Sequence, residues 1–295
     1  IGVVTLLFSG GEPMCHPNFC EFLKKAKDYD MNVIVLSNLT LLNDKIIETL
    51  MYKHTTCVRV SLYSMDANIH DSITMLKGSF QKTKNNILKL IEKNVPVQIN
   101  CPIMKQNKDT FSEVMQWGKQ HKCNVTVDFS MIARQDGSTG NLENRLSTEE
   151  LKNVIKVMID NYADMQENVT NNNEEIPKQR DLDDCICGVG LTIMAVDSKG
   201  NISPCVGWQK CICGNVKENL LKDVWIHSKE LNYLRKLRFR DFKKCITCED
   251  AQYCNMCMNM NANESSDGNV FDIPQITCDA ARIQHKVIEE YKKTN

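Results

Sequence analysis

The stretch Cys245-Ile246-Thr247-Cys248-Glu249-Asp250-Ala251-Gln252-Tyr253-Cys254-Asn255-Met256-Cys257 places four thiols with gaps of two, five and two residues. An isolated Cys278 follows. Upstream, twelve residues separate Cys187 from Gly200 and four more separate Gly200 from Cys205. Seven thiols at such spacings need a common explanation. Disulfides, zinc and iron-sulfur clusters are the candidates. Residues 245–263 hold few aliphatic side chains and no clear period, so this segment is expected to build little core of its own and to be held by a metal.

The rest of the chain has to choose among these chemistries. At 295 residues and 33.7 kDa it has room for one large and one small domain. Its 36 Lys and Arg against 37 Asp and Glu give no electrostatic reason to expect nucleic acid or an anionic membrane as partner. The apolar run Val3 to Phe8 is far shorter than the roughly 20 residues that span a bilayer. The first residue is Ile1 rather than Met, which leaves open what precedes it. Cys15, Cys20, Cys57, Cys101 and Cys123, scattered through what reads as a large α/β domain, suit a reducing compartment, the cytoplasm, better than a disulfide framework. They read as apolar fillers rather than ligands. A zinc ribbon pairing Cys245 and Cys248 with Cys254 and Cys257 is chemically sound. Its two pairs would lie closer together than in an ordinary ribbon, and it would leave Cys187 and Cys205 unexplained.

The first half alternates β-branched runs with amphipathic stretches. Strands are expected at residues 3–8, 32–36, 57–62, 95–101 and 124–129, and helices at 19–29, 41–52, 80–94 and 111–121. Such alternation argues for a parallel sheet with helical crossovers, a barrel or a doubly wound sheet. The first run shows no polar alternation, as in a strand buried on both faces. Asn43 and Asp109 stand as helix caps, and Ser147-Thr148-Glu149-Glu150 is a capping box for a helix reaching about Met165. Residues 133–146 form a long loop, a place where function collects. A polar linker at 167–184 divides residues 1–166 from residues 185–295. Beyond it a hairpin over residues 191–205 would bring Cys187 to Cys205. Short helices at 220–226 and 229–237 and a closing helix at 280–292 complete the chain.

Polar residues recur at the expected strand ends, where parallel α/β folds bind ligands. In Gly10-Gly11-Glu12-Pro13 the glycines allow close backbone approach, the carbonyls can accept from an ammonium, and Glu12 can supply counter-charge. Ser37-Asn38 and Ser61 follow on the next strands. Each alone also reads as a turn or cap residue. Together with His16-Pro17, Val35-Leu36-Ser37-Asn38, Val60-Ser61-Leu62 and the seven cysteines, they resemble a radical S-adenosylmethionine (SAM) enzyme with a SPASM-type C-terminal domain, over essentially the whole chain.

The resemblance implies an α/β fold, a partial (β/α)6 radical SAM barrel followed by a small cysteine-rich iron-sulfur domain. It implies that Gly10, Gly11 and Glu12 hold the methionine amino group of SAM, that Ser37, Asn38 and Ser61 contact its carboxylate and ribose, and that Arg134 binds a carboxylate. It gives one auxiliary 4Fe-4S cluster to Cys245, Cys248, Cys254 and Cys278, and a second to Cys187, Cys205 and Cys257. The eighth ligand would be Cys185, Cys211 or Cys213, or an iron left open for substrate. Cys254 and Cys257 stand one residue closer than in that family's usual pattern. The three-cysteine motif that binds the SAM-cleaving cluster has no counterpart here, and Cys15 and Cys20 do not match it. The sequence therefore reads as a fragment of a longer protein, or else as an inactive product. The implied activity is that of an oxidoreductase maturase. A 5′-deoxyadenosyl radical would abstract hydrogen from a ribosomally made peptide or protein, to form a thioether or carbon-carbon crosslink or to oxidise a side chain. A flavodoxin or ferredoxin would be the reductant. The resemblance names no catalytic side chain. The alternatives are an inactive iron-sulfur protein that binds peptides or relays electrons, and a zinc-binding interaction module.

Overall fold

The computed structural model describes residues 1–54, 56–134, 137–161, 181–208 and 210–294. Five parallel strands, β1 (Thr5–Phe8), β2 (Asn32–Ser37), β3 (Thr56–Ser61), β4 (Val97–Pro102) and β5 (Asn124–Asp128), pair in chain order. The crossovers are α1 (Phe19–Asp28), α2 (Asp44–Met51), α3 (Ala67–Thr74), α4 (Ser79–Glu92) and α5 (Phe111–Gln120). Parallel strands in sequential order, joined by crossovers of one hand, place every helix on one face. The burial alternation agrees: Val33, Val35, Val58, Val60, Ile99, Cys101 and Val125 are buried with the helical residues Leu23, Leu50, Ile87, Leu90 and Phe111. The opposite face carries Ile34 and Leu36 on β2. From β3 onward it turns polar, with Arg59, Ser61, Gln98, Asn100 and Thr126.

Three local expectations need correction. Thr5, Leu6 and Leu7 of β1 are exposed rather than buried on both faces, because β1 pairs only with β2 and little covers either side of it. Asn43 does cap α2, accepting from the Ile46 amide at 3.0 Å, but Asp109 caps nothing. Thr110 stands at the head of α5 without a side-chain cap bond, while Asp109 pairs with Lys108 at 2.6 Å. Helix α3 has no counterpart among the expected elements. It buries only His70 and rests on Asp66, whose carboxylate accepts from the Asn68 amide at 2.7 Å.

Compactness divides the chain into Gly2–Ser130 and a second unit comprising Met131–Asn295. The second unit opens with α6 (Thr148–Asn161), where the expected capping box forms: the Ser147 amide donates to Glu150 at 2.8 Å and the Glu150 amide to Ser147 Oγ at 3.3 Å. The expected extension to Met165 and nearly all of the linker at 167–184 lie outside the described residues. Helix α6 packs along α10 (Gln275–Thr294), with Lys152 and Lys156 pairing with Glu290 at 3.2 and 3.8 Å. The expected hairpin is β6 (Ala195–Val196) with β7 (Asn201–Ser203), shorter than the sequence implied. A third strand that sequence reading missed, β8 (Gly214–Asn215), pairs with β7, and helices α7 (Leu221–His227) and α8 (Lys229–Lys236) follow. Gly200 turns the hairpin at φ +89°, and a Cβ there would meet Asn215 Oδ1 at 3.0 Å. Both facts favour glycine.

Residues 245–263 do build core, against expectation. Met256, Met258 and Ala262 join Val189, Trp208, Leu234, Leu237, Phe239, Phe242 and Val270 in one cluster, and α9 (Met258–Glu264) carries three of the buried asparagines. Two of them donate to backbone, Asn261 to the Val270 carbonyl at 2.8 Å and Asn263 to that of Gly207 at 3.1 Å, while the side-chain oxygens of Asn259 and Asn261 are buried without a hydrogen-bond partner. Methionine and asparagine in alternation give no amphipathic signal, which hid this core from the sequence. No described helix is long and apolar enough to cross a membrane.

Candidate cofactor and cluster sites

At the end of β1 the chain enters Gly10 at φ +129°, where an added Cβ would meet nothing within 4 Å, so the turn is open on its outer side. Glu12 then heads a 3-10 turn and its carboxylate reaches across to β2. One oxygen accepts from Ser37 Oγ at 2.8 Å and the Met14 amide at 3.1 Å, and the other from the Asn38 amide at 2.8 Å. Ser37 Oγ in turn accepts from the Leu39 amide at 2.8 Å, and Asn38 Oδ1 accepts from the Thr40 amide and hydroxyl at 2.9 and 2.7 Å. The structure thus brings Glu12, Ser37 and Asn38 together. Ser61 closes β3 one position beyond the partner of Ser37 and opposite Asn100. It lies beside the Tyr63 phenol, whose pKa burial pushes up. Arg134 belongs to the second unit, is exposed, and has its amide bonded to the Ser138 carbonyl at 3.0 Å.

The C-terminal thiols fall into two groups. Cys245, Cys248, Cys254 and Cys278 line a cavity of about 60 Å³, with Leu182, Phe239, Met256 and Ile273 as its apolar wall. Burial raises the Cys278 pKa, and the neighbouring Cys248 and Asp279 raise it further, while Lys244 and Arg282 oppose them. In the other group, burial raises the pKa of Cys187, with Cys257 and Cys185 adding to it, and that of Cys205, with Cys257 and Cys187 adding to it. Cys211 lies within reach of Cys205 but is hydrogen-bonded to Cys213, which raises its pKa; Cys213 is lowered by Cys211 and by Ser228. All 15 cysteines are free. Among the described residues no three Cys, His, Asp or Glu side chains converge closely enough to hold one metal ion.

Comparison with known proteins bears on both sites. Residues 1–118 match the radical SAM superfamily, and residues 185–258 match SPASM, an iron-sulfur cluster-binding domain. The chain carries a radical SAM domain followed by a SPASM domain. It is similar to an AdoMet-dependent heme synthase of Methanosarcina barkeri (strain Fusaro / DSM 804), 24% identical over 277 residues, covering 87% of this chain and 78% of that protein. It is also similar to the antilisterial bacteriocin subtilosin biosynthesis protein AlbA of Bacillus subtilis (strain 168), 26% identical over 282 residues, covering 91% of this chain and 60% of that protein. Among solved structures, anSMEcpe with bound AdoMet and the Kp18Cys peptide has the same fold, with a TM-score of 0.68 at 16% identity over 99% of this chain and 86% of that one.

The radical SAM superfamily is made of enzymes, and this chain is one by family. The cofactors that go with its two domains are SAM and 4Fe-4S clusters, and the donor chemistry of the SPASM domain fits the latter. Burial and neighbouring thiols oppose the ionisation of Cys187, Cys205 and Cys278, a cost that a bound metal centre would offset. Cys101 differs. Burial alone pushes its thiol up to about 12, and it donates to the Tyr63 carbonyl at 3.6 Å, as a core filler does.

Sequence reading missed a polar tie behind the cavity. His285 Nδ1 and Asp250 Oδ1 lie 2.8 Å apart, and the His285 ring stacks on Tyr253 with centroids 4.6 Å apart and planes at 20°. Arg282 Nε stands 3.8 Å from the other Asp250 oxygen. Asp250 and Tyr253 occupy the loop between Cys248 and Cys254, whereas Arg282 and His285 lie one and two turns beyond Cys278 on α10. The signal was present as an Asp inside the cysteine loop and a His at helical spacing from Cys278. Neither residue type in isolation points to such a tie. The long loop is fastened too: Arg145 forms a forked pair with Glu264 of α9, Nη1 to Oε2 at 2.9 Å and Nη2 to Oε1, and its Nε donates to the Met131 carbonyl at 3.0 Å.

Proposed function

We propose that this chain is the radical SAM and SPASM part of a maturase that modifies a ribosomally made peptide or protein by hydrogen abstraction, forming a thioether or carbon-carbon crosslink or oxidising a side chain. The observation that carries the reading is the grouping of the thiols. Cys245, Cys248, Cys254 and Cys278 would hold one auxiliary 4Fe-4S cluster, and Cys187, Cys205 and Cys257 another, with Cys185 as the fourth ligand. Gly10, Gly11, Glu12, Ser37, Asn38 and Ser61 would bind SAM, and Arg134 a carboxylate. When bound, SAM and the clusters supply one-electron chemistry and a hydrogen-abstracting radical. The residues present would orient the cofactor: the carbonyls of the open Gly10-Gly11 turn and the braced Glu12 carboxylate accept from its ammonium. A flavodoxin- or ferredoxin-type protein would exchange electrons, and free thiols throughout suit the cytoplasm.

Support for a peptide comes from the likeness to the bacteriocin biosynthesis protein and from the peptide bound in the anSMEcpe structure. A second reading, chemistry on a haem-type tetrapyrrole, is favoured by the heme synthase relative, which matches over more of its own length than AlbA does. The test is anaerobic reconstitution of the full-length protein followed by incubation with SAM, dithionite and either the short peptide encoded beside the gene or an iron tetrapyrrole. Mass spectrometry of both is the readout. Loss of hydrogen from the peptide supports the first reading, and a mass change in the tetrapyrrole alone replaces it with the second. Stoichiometric zinc with no iron sinks both.

A further inference from the structure

Arg59 sits in mid-strand on β3, on the sheet face opposite the crossover helices, between Leu36 of β2 and Gln98 of β4 in the register. Its Nε is buried and has no hydrogen-bond partner. No carboxylate among the described residues pairs with it. The polar side chains around it bond to one another instead, Gln98 Nε2 donating to Thr126 Oγ1 at 2.6 Å and, more weakly, to Asn100 Oδ1 at 3.4 Å. Asp128, the acid on the same face of β5, accepts from the Ser130 amide at 2.8 Å. A buried guanidinium N–H without an acceptor is costly, because it has given up water and gained nothing in exchange. The planar fork of arginine matches a carboxylate with two parallel hydrogen bonds.

We infer that Arg59 is a recognition point for a carboxylate on the substrate that occupies the face of the radical SAM sheet opposite the crossover helices. The carboxylate comes from the substrate, as an acidic side chain, chain terminus or propionate. The inference rests on the functional reading above only in taking this face as the ligand side of the domain.

Two measurements on the reconstituted chain test it. Without added anion, Arg59→Met should melt at or above the wild-type temperature, since it removes an unpaired charge. A clear fall would make Arg59 a structural residue and overturn the proposal. Glutarate, titrated against sodium chloride at matched ionic strength, should raise the melting temperature of wild type, less that of Arg59→Lys, and not that of Arg59→Met. Equal response in all three overturns it. Calorimetry then separates substrate from cofactor. A tenfold or greater loss of SAM affinity in Arg59→Met, with none for 5′-methylthioadenosine, which lacks the carboxylate, would make Arg59 part of the cofactor site and overturn the proposal. Unchanged SAM affinity beside a lost glutarate response assigns it to the substrate. Iron content and visible absorption of the same samples report the cluster reading separately.

Discussion

Glu12 has three donors on it before any ligand arrives, the Ser37 hydroxyl and the amides of Met14 and Asn38. A carboxylate offers about four acceptor sites, so one remains for an incoming cation, and the other three fix its direction. Glu12→Gln leaves one oxygen and turns an NH2 toward groups that are themselves donors. In the full-length protein the expected result is a loss of a charge-assisted bond worth on the order of 1.5–3 kcal/mol, and hence a fall in SAM affinity of roughly ten- to a hundredfold by calorimetry, with iron content unchanged. Equal affinity at equal iron would leave Glu12 as a brace of the turn alone. Lys27 poses the opposite problem. It is fully buried, and its ammonium donates to the carbonyls of Thr49, Leu50 and Tyr52 at the end of α2, the last two bonds being the shortest. Burial lowers its pKa from 10.5 to about 8. Between those values the unfolded chain holds more protons than the folded one, so stability should rise with pH across that window, while below about pH 8 both states are charged and the penalty is constant. The rise is at most on the order of 3 kcal/mol, because the three carbonyls favour the cation and offset part of the burial cost. Urea midpoints of wild type and Lys27→Met, compared at pH 7.5 and 10, should show wild type gaining on the mutant at the higher pH. A constant difference would mean that Lys27 does not titrate there.

At the scale of elements, what the sequence made legible followed the strength of each period. Strands β2 to β4 alternate buried Val or Ile with half-buried residues, and the helices after them carry apolar stripes, so their order and parallel pairing could be read directly. The two-residue strands β6 and β8 carry no period at all, and β8 is a Gly-Asn pair held to β7 by tertiary context. Ser37 and Asn38 were legible as strand-end polar residues. That Glu12 reaches both was not, because it depends on how β1 and β2 align. The Asp250–His285 tie is of the same kind, since it joins segments 35 residues apart. It holds the Cys248–Cys254 loop to the helix that carries Cys278, so its effect should appear in how firmly that thiol set retains iron. For His285→Ala, iron release to a chelator should accelerate roughly tenfold, the equivalent of about 1.4 kcal/mol for one partly exposed hydrogen bond to a charged group. His285→Asn, which can place an amide nitrogen near the Nδ1 position, should restore most of the retention. A shift in the reduced cluster's electron paramagnetic spectrum in the alanine variant, reversed in asparagine, would separate positioning from a general loss of stability. Identical release from all three proteins would remove the tie from the account of the site.

For the whole molecule the two compact units draw on different sources of stability. Gly2–Ser130 has a continuous aliphatic core between one sheet face and its helices, with Val35, Val58, Val60, Leu62, Ile87, Leu90 and Ile99 fully buried, and needs no metal to explain it. The part from residue 181 onward has strands of two and three residues and, apart from α10, short helices, and its principal core cluster is fringed by Cys205, Cys211, Cys245 and Cys254. Elements that short are marginal alone. Where thiolates with burial-raised pKa values line that core, metal binding and folding become one free energy, because the ligands must be deprotonated and only the centre they bind offsets that cost. Removing iron from the reconstituted protein with a chelator should therefore raise amide hydrogen exchange across residues 187–278 while β2 to β4 keep their protection. Fluorescence offers a second view. Of the three tryptophans, Trp117 lies in the first unit and Trp208 and Trp225 in the second, so Trp117→Phe leaves only reporters of the part expected to loosen. In that variant iron removal should shift the emission to the red, and in the variant that keeps Trp117 alone it should not. Exchange that rises equally in both units would show that they unfold as one body. Exchange unchanged in both would show that the thiol-rich part folds without its metal.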